Sequence, residues 1–205
     1  LNVPPVIHDV FDADDLEVMD PDYVELETKT ITLPHGEKIT VLGMVIDNPG
    51  RTKSVVVRKK YGPLADWSRG DDLGLLIEGR GTGVTWDFQI FSRSRDNWVS
   101  YRIVDDFEGW QVVPFPKSKP VTWGGDMDWS AIWMLQFATN VDVTGVLTVF
   151  PVVADVDALM QMPLHGLNVP PVIHDVFDAD DLEVMDPDYV ELETKTITLP
   201  HGEKI

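Results

Sequence analysis

The sequence predicts an all-β fold, a β-sandwich or jelly roll of about nine strands joined to an acidic, Pro- and Asp-rich connecting segment. Three observations predict it. Short runs rich in Val, Ile, Thr and aromatic residues recur between residues 28 and 153, and Gly, Pro, Asn and Asp separate them. Only one short segment, 155–162, has a helical pattern, so the chain lacks the helices of an α/β protein.

The elements follow one another at regular spacing. Residues 2–23 contain VPP, DVFDADD and MDPDY, and we interpret them as a linker that runs into a loop. Turn residues such as His35-Gly36 and Trp123-Gly124-Gly125-Asp126 separate the runs that follow. Strands are predicted at about 28–33, 38–47, 53–59, 73–78, 84–91, 97–104, 110–115, 131–138 and 145–153.

The two ends of the chain are identical. Residues 1–39 return, letter for letter, as residues 167–205, which gives a period of 166 residues. We therefore interpret 1–166 as one full repeat unit, with its sandwich at about 24–157, and 167–205 as the start of the next unit. The chain begins without Met or a signal peptide, as an internal fragment would. The duplication indicates an array of near-identical units or the edge of a cloned fragment.

Charge and composition exclude several classes of partner. The formal net charge is −19, and each copy of the 39-residue segment contributes −8 of it. Such acidity argues against nucleic acid and anionic membranes, both of which are polyanions. No run of 18 apolar residues is present, so membrane insertion is not expected. The chain has no cysteine, which excludes disulfides and thiolate chemistry.

Two predicted strands show which face each side chain occupies. Because side chains alternate between the faces of a strand, the apolar members of these runs are assigned to the core: Val84, Trp86, Phe88, Ile90, Val99, Tyr101 and Ile103. If the two strands are neighbours, the opposite face gathers Asp87, Gln89, Trp98 and Arg102.

An aromatic ring beside planar hydrogen-bonding groups suits a sugar, whose C–H face stacks on the ring while its hydroxyls pair with the polar groups. Asp87, Gln89, Trp98 and Arg102 are therefore candidate glycan-binding residues. The alternative is a solvated sheet face on which Arg102 and Asp87 form a cross-strand ion pair. Of the seven tryptophans, Trp123 and Trp129 are expected to be the more exposed.

The run DWSRGDDLGLLIEGRGTGVTWDFQIFSRSRDNWVSYRIVDDFEGWQVVPFP resembles β-sandwich carbohydrate-binding modules of the galactose-binding-like, jelly-roll type. Leu73 to Gly83 is similar to their "D-L-x-L-x-I-x-G-x-G" element, and Gly109 to Phe115 to their "G-W-x-x-V-x-I-P-F" strand. Val6 to Asp12 is similar to their opening "I-D-D-F-E". The last strand departs from the pattern, since Phe150-Pro151-Val152-Val153 replaces an acidic pair.

The acidic opening segment suggests a metal site. Closely spaced carboxylates supply the oxygen ligands that Ca²⁺ prefers, and Asp9, Asp12, Asp14 and Asp15 are so spaced. The resemblance implies a structural Ca²⁺ held between the opening strand and the end of the unit, where Asp155 and Asp157 lie. A plain acidic linker is the alternative.

We find no metal-ligating histidine spacing, nucleophile elbow or phosphate loop, and expect a protein that is not an enzyme. The exact repeat favours a structural or assembly unit of an extracellular fibre, surface layer or adhesin-like array, whose neighbouring copies are linked by strand sharing. The alternative is a carbohydrate-binding module that binds polysaccharide through an exposed aromatic sheet face, attached in some contexts to a polysaccharide-degrading enzyme. Either interpretation implies an extracellular or cell-surface location.

Overall fold

The computed structural model describes residues 6–50, 54–139 and 142–165. All of them lie in the first of two compact units, Leu1–Val169. The second copy of the repeated segment, 167–205, lies outside the described residues, so the predicted domain division and strand sharing by that copy stay predictions.

The described chain forms twelve strands, one 3₁₀ turn and one short helix. In chain order these are β1 (Ile7–Val10), the 3₁₀ turn Ala13–Asp15, β2 (Glu17–Val18), β3 (Val24–Thr32), β4 (Lys38–Asn48), β5 (Val56–Ala65), β6 (Asp72–Arg80), β7 (Thr85–Ser92), β8 (Trp98–Val104), β9 (Glu108–Pro116), β10 (Thr122–Gly124), β11 (Ile132–Thr139), β12 (Val143–Asp155) and α1 (Val156–Met160). The predicted all-β class is confirmed, and each of the nine predicted strands overlaps one of these.

Two antiparallel sheets make the sandwich. The first sheet has the order β3-β4-β12-β6-β9, with β1 also paired to β12, and the second has the order β10-β8-β7-β11-β5-β2. The core between them is built on large aromatic side chains: Phe88 lies 4.8 Å from Phe115 and 5.2 Å from Phe137 between ring centroids. Trp67 and Trp86 are fully buried in the same core.

The prediction of a linker over residues 2–23 is wrong for its middle part. Ile7–Val10 pairs with β12, and Glu17–Val18 pairs with β5. Strands of four and two residues carry little alternation, and their backbone groups are satisfied only by distant partners. The first copy of the repeated segment thus supplies β1, β2 and β3 to the sandwich that contains residues 40–165.

Helix α1 covers the outer face of the first sheet. Leu159 packs with Leu76 and Trp110 in a second apolar cluster, which also includes Leu164. Helix α1 lies close to strand β6 at Gly74, where an added β-carbon would lie 2.9 Å from Leu159 Cδ1. Because this cluster covers the first sheet, the outer face of the second sheet is the place to look for a binding surface.

Candidate functional site

The outer face of the second sheet carries the four residues predicted to bind glycan. Strands β7 and β8 are neighbours, as the prediction required, and their register places Asp87 opposite Arg102 and Gln89 opposite Ser100. Phe91 lies opposite Trp98 at the other end of the pair. Asp87, Gln89, Trp98 and Arg102 therefore share one face of one sheet.

Arg102 and Asp87 also form the ion pair that was the alternative interpretation. Arg102 Nε lies 3.7 Å from Asp87 Oδ1, and the Arg102 side chain is 52% exposed. An exposed pair at this distance stabilises the fold by less than ~1 kcal/mol. Both groups therefore remain available to hydroxyls of a ligand at small cost.

Trp98 belongs to a row of three rings, which we call the aromatic row. The Phe91 ring lies 6.5 Å from Trp98 and 6.2 Å from Trp133 between centroids. Trp133 reaches this face through an irregularity in β11, because the register shifts between Ile132 and Met134. Its Nε1 donates to the carbonyl of Ser94 at 3.0 Å, which fixes the ring.

A cleft of about 310 Å³ opens next to the aromatic row. Its lining combines apolar side chains, two arginines and an amide: Met19, Val56, Arg58, Phe91, Arg95, Met134 and Gln136. The amide of Gln136 donates to the Gln89 side-chain oxygen, so the predicted residue Gln89 borders this cleft through a hydrogen bond. The cleft therefore offers one apolar wall and several planar polar groups.

Arg58 is held in place by Glu17 of strand β2. The guanidinium donates from Nε and Nη2 to the two carboxylate oxygens at 2.9 and 3.0 Å. Hydrogen bonds from Arg58 and Lys60 lower the pKa of Glu17 to about 2. The carboxylate is thus charged over the whole physiological range, and it orients the guanidinium at the cleft.

Sequence reasoning missed Phe91, Trp133, Gln136 and Arg58. Alternation alone could have found Phe91, because it lies two residues after Gln89 on the same strand and face. Trp133 follows an irregularity that alternation does not predict, and Arg58 and Gln136 join the site only through the strand order β7-β11-β5.

Three of the predicted calcium ligands, Asp9, Asp12 and Asp15, are engaged by other groups. Lys59 Nζ donates to both carboxylate oxygens of Asp9, at 2.9 and 3.0 Å, and lies 3.4 Å from Asp15 Oδ2. The Tyr61 hydroxyl also donates to Asp9, at 2.7 Å. Asp12 caps the 3₁₀ turn by accepting from the backbone N–H of Asp14 and of Asp15, at 2.9 and 3.2 Å.

Of the two predicted ligands near the end of the unit, Asp155 lies beside β1, where its backbone N–H donates to the carbonyl of Val6 at 2.9 Å. Asp155 Oδ1 accepts a hydrogen bond from His8 Nε2 at 2.9 Å, and Asp157 is exposed in the first turn of α1. Within residues 6–50, 54–139 and 142–165, no three His, Asp or Glu side chains gather into a metal site. The six carboxylates named as candidate ligands form no such cluster among the described residues, and structural Ca²⁺ stays a prediction.

Among the described helices none is long and apolar enough to span a membrane; α1 itself has five residues.

The sequence matches no protein family, and it matches no curated protein. Solved structures share its fold. A family 11 carbohydrate-binding module from Clostridium thermocellum, in complex with a β-1,3-1,4-mixed-linked tetrasaccharide, superposes with a TM-score of 0.54 at 16% identity, over 74% of this chain and 95% of that one. A family 30 carbohydrate-binding module gives 0.55 at 11% identity, over 75% and 99%.

An exo-β-agarase gives a TM-score of 0.53 at 11% identity, over 74% of this chain but 24% of that one, so the likeness is to one part of a larger protein. Matches at sequence identities this low establish a shared fold. The described chain has the β-sandwich fold of family 11 and family 30 carbohydrate-binding modules.

Proposed function

We propose that this protein is a non-catalytic carbohydrate-binding module that binds a polysaccharide chain along the outer face of its second sheet. The observation that carries the proposal is the aromatic row of Trp98, Phe91 and Trp133 beside the cleft. The Trp98 and Phe91 rings are tilted by 34° to each other, so they offer neighbouring stacking surfaces to two sugar units, and Trp133 stands at 69° to Phe91.

The polar groups around the row supply the specificity that stacking lacks. Arg58, Gln136 and Gln89 present planar donors and acceptors at the cleft, and their orientation is fixed by Glu17 or by each other. Groups that are already oriented lose little conformational entropy when they bind a hydroxyl. The face is therefore arranged to bind sugar rings, and we infer binding without bond cleavage.

The fold supports the same conclusion. The similar structures include two families of carbohydrate-binding modules and an agarase of which about a quarter matches. These likenesses favour a binding module over the assembly repeat suggested by the duplicated ends. The first copy of the repeated segment already completes its own sandwich, so assembly through the second copy stays a prediction. An extracellular or cell-surface location belongs to the proposal, because structural polysaccharides such as mixed-linked β-glucan and agarose lie outside cells.

Affinity electrophoresis and isothermal titration calorimetry test the proposal, with mixed-linked β-1,3-1,4-glucan and agarose as the polysaccharides. We expect retention by at least one of them, and a loss of at least tenfold in affinity for Phe91→Ala and Trp98→Ala. Met160→Ala is the matched control, since Met160 is 49% exposed but lies on α1, away from the second sheet. Equal affinities for all four proteins would show that the aromatic row does not bind the polysaccharide.

A further inference from the structure

An exposed indole, that of Trp123, lies on the opposite side of the second sheet from the half-buried Trp98. Trp123 is 67% exposed, the highest value for a large hydrophobic side chain in the described part of the chain. In the register of β10 with β8, Gly124 pairs with Trp98 and Trp123 pairs with Val99. Because Val99 points into the core, Trp123 projects on the core side of the sheet edge, whereas Trp98 lies on the outer face.

Trp123 forms one wall of a separate cavity of about 330 Å³. Its other apolar walls are Val99, Pro120 and Met127, and its rim includes Ser118, Lys119 and Asp126. It shares no lining residue with the cleft beside the aromatic row. The two are therefore distinct surfaces.

The cavity is built on fixed groups. Lys117 Nζ donates to the backbone carbonyls of Trp67, Arg69 and Gly70 at 2.5, 2.7 and 2.6 Å. The same ammonium lies 5.2 Å from the centroid of the Trp129 ring, and Trp129 is half-buried, whereas the sequence predicted it to be exposed. These contacts fix the position of Lys117, which lines the cavity, while Trp123 is open to solvent.

The backbone of the rim is tied down as well. Lys119 N–H donates to the carbonyl of Pro116 at 3.0 Å, and Val121 N–H donates to the carbonyl of Ser100 at 2.8 Å. Lys119 and Asp126 border the cavity with opposite charges, so the rim contains both donors and acceptors. The hydroxyl groups of a neutral ligand can hydrogen-bond to both Lys119 and Asp126. A ligand that carries a charge is repelled by whichever of the two has the same sign.

We propose that the Trp123 cavity is a second carbohydrate site, which binds a single pyranose ring at a chain end or branch. The ring would stack on Trp123 and its hydroxyls would pair with Lys119 and Asp126. The cavity has one aromatic ring, Trp123, among its lining residues, so it offers a stacking surface to one sugar unit. This inference rests on the proposed function, because it assumes that the protein meets polysaccharide.

Tryptophan-selective ¹⁵N labelling tests the inference, since each indole N–H gives one signal and single Trp substitutions assign them. The probes are the β-1,3-1,4-mixed-linked tetrasaccharide and an agarose-derived tetrasaccharide. We expect the signals of Trp98 and Trp123 to move during titration with at least one probe, with different midpoints. Calorimetry is expected to give two sites per chain, falling to one in Trp123→Ala and to one in Trp98→Ala.

Unchanged signals from the buried Trp67, Trp86 and Trp110 verify that each variant is folded. Movement of Trp98 alone overturns the second site and leaves the proposed function standing. Movement of Trp123 alone supports the second site and overturns binding on the outer face. A Trp123 signal that moves with protein concentration in the absence of sugar identifies a second copy of the chain as the occupant, and overturns the inference.

Discussion

The indole of Trp98 lies across the backbone of Gly124 on the neighbouring strand. A β-carbon added to Gly124 would lie 3.0 Å from both Cδ1 and Cε2 of that ring, and closer still to Nε1. Separations of this size force a neighbour to move. Because Gly124 has no side chain, the Trp98 ring, which is one end of the aromatic row, can extend from β8 over the backbone of β10.

Gly124→Ala is expected to displace the Trp98 ring and to weaken polysaccharide binding about tenfold, since an oriented aromatic contact contributes up to ~1.5 kcal/mol. Affinity electrophoresis measures the loss, and near-UV circular dichroism reports the ring displacement. Gly43→Ala is the control, because its added β-carbon meets its neighbours at an ordinary 3.7 Å on the first sheet. Unaltered binding by Gly124→Ala would show that the Trp98 position is not needed.

Arg102→Ala separates binding from stability. The exposed ion pair with Asp87 is expected to contribute less than ~1 kcal/mol to the free energy of unfolding. If Arg102 pairs with sugar hydroxyls, the variant loses affinity while its urea denaturation midpoint barely changes. Arg80→Ala is the matched control, because Arg80 makes a similar pair with Glu78 on the first sheet, 3.3 Å apart. A large drop in stability without a drop in affinity would assign Arg102 to the fold alone.

His8 makes the stability of the sandwich depend on pH. Its side chain is 1% exposed, next to Trp67 and bonded to Asp155, with Lys117 and Arg69 nearby. Burial lowers the pKa of His8 below its ordinary 6.5, although Asp155 opposes that shift. The unfolded chain therefore takes up the proton first, and the free energy of unfolding falls as the pH drops below about 6.5.

Urea denaturation at pH 7.5 and pH 5.5 measures this effect. We expect the difference between the two midpoints to be smaller in His8→Gln than in the wild-type protein, because glutamine does not titrate. His35→Gln serves as the control, since that ring is 56% exposed and bonded to Glu37 at the surface. The same pH dependence in His8→Gln as in the wild type would mean that His8 is not responsible.

Lys59 is expected to be a main stabilising charge of the opening segment. Its side chain and that of Asp9 are 12% and 11% exposed, so Lys59→Met leaves a buried carboxylate with the Tyr61 hydroxyl but without its positive partner, and costs about 3 kcal/mol. Lys60→Met is the control: its ammonium pairs with the half-exposed Glu17 at 2.9 Å, and its loss costs less than ~1 kcal/mol. Thermal denaturation compares the two variants, and equal losses would contradict the assignment.

The same measurement tests the calcium prediction. Because the Lys59 ammonium already contacts Asp9 and Asp15, we expect chelation with EDTA to leave the Tm of the wild-type protein unchanged. Added CaCl₂ is expected to raise the Tm of Lys59→Met more than that of the wild type, since the substitution removes the competing positive charge. A fall in the wild-type Tm on chelation would show that the protein does hold a structural metal ion.

The sequence by itself determined nine of the twelve strands of the described chain and, for β7 and β8, which face each side chain occupies. Alternation over Val84 to Ile90 assigned Trp86 and Phe88 to the core and Asp87 and Gln89 to the surface, as the structure has them. This was possible because the side chains of a strand alternate at a period of two, a local property that neighbours do not alter.

Only the tertiary structure decided which residues meet. Trp133 joins Phe91 through an irregularity in β11, and Arg58 reaches the same cleft from β5. Likewise, Lys59 binds Asp9 from a strand fifty residues away in sequence, which no acidic spacing could indicate. Strand order and register depend on the packing of the whole sandwich, since each strand finds its partners only when both sheets close on a common core.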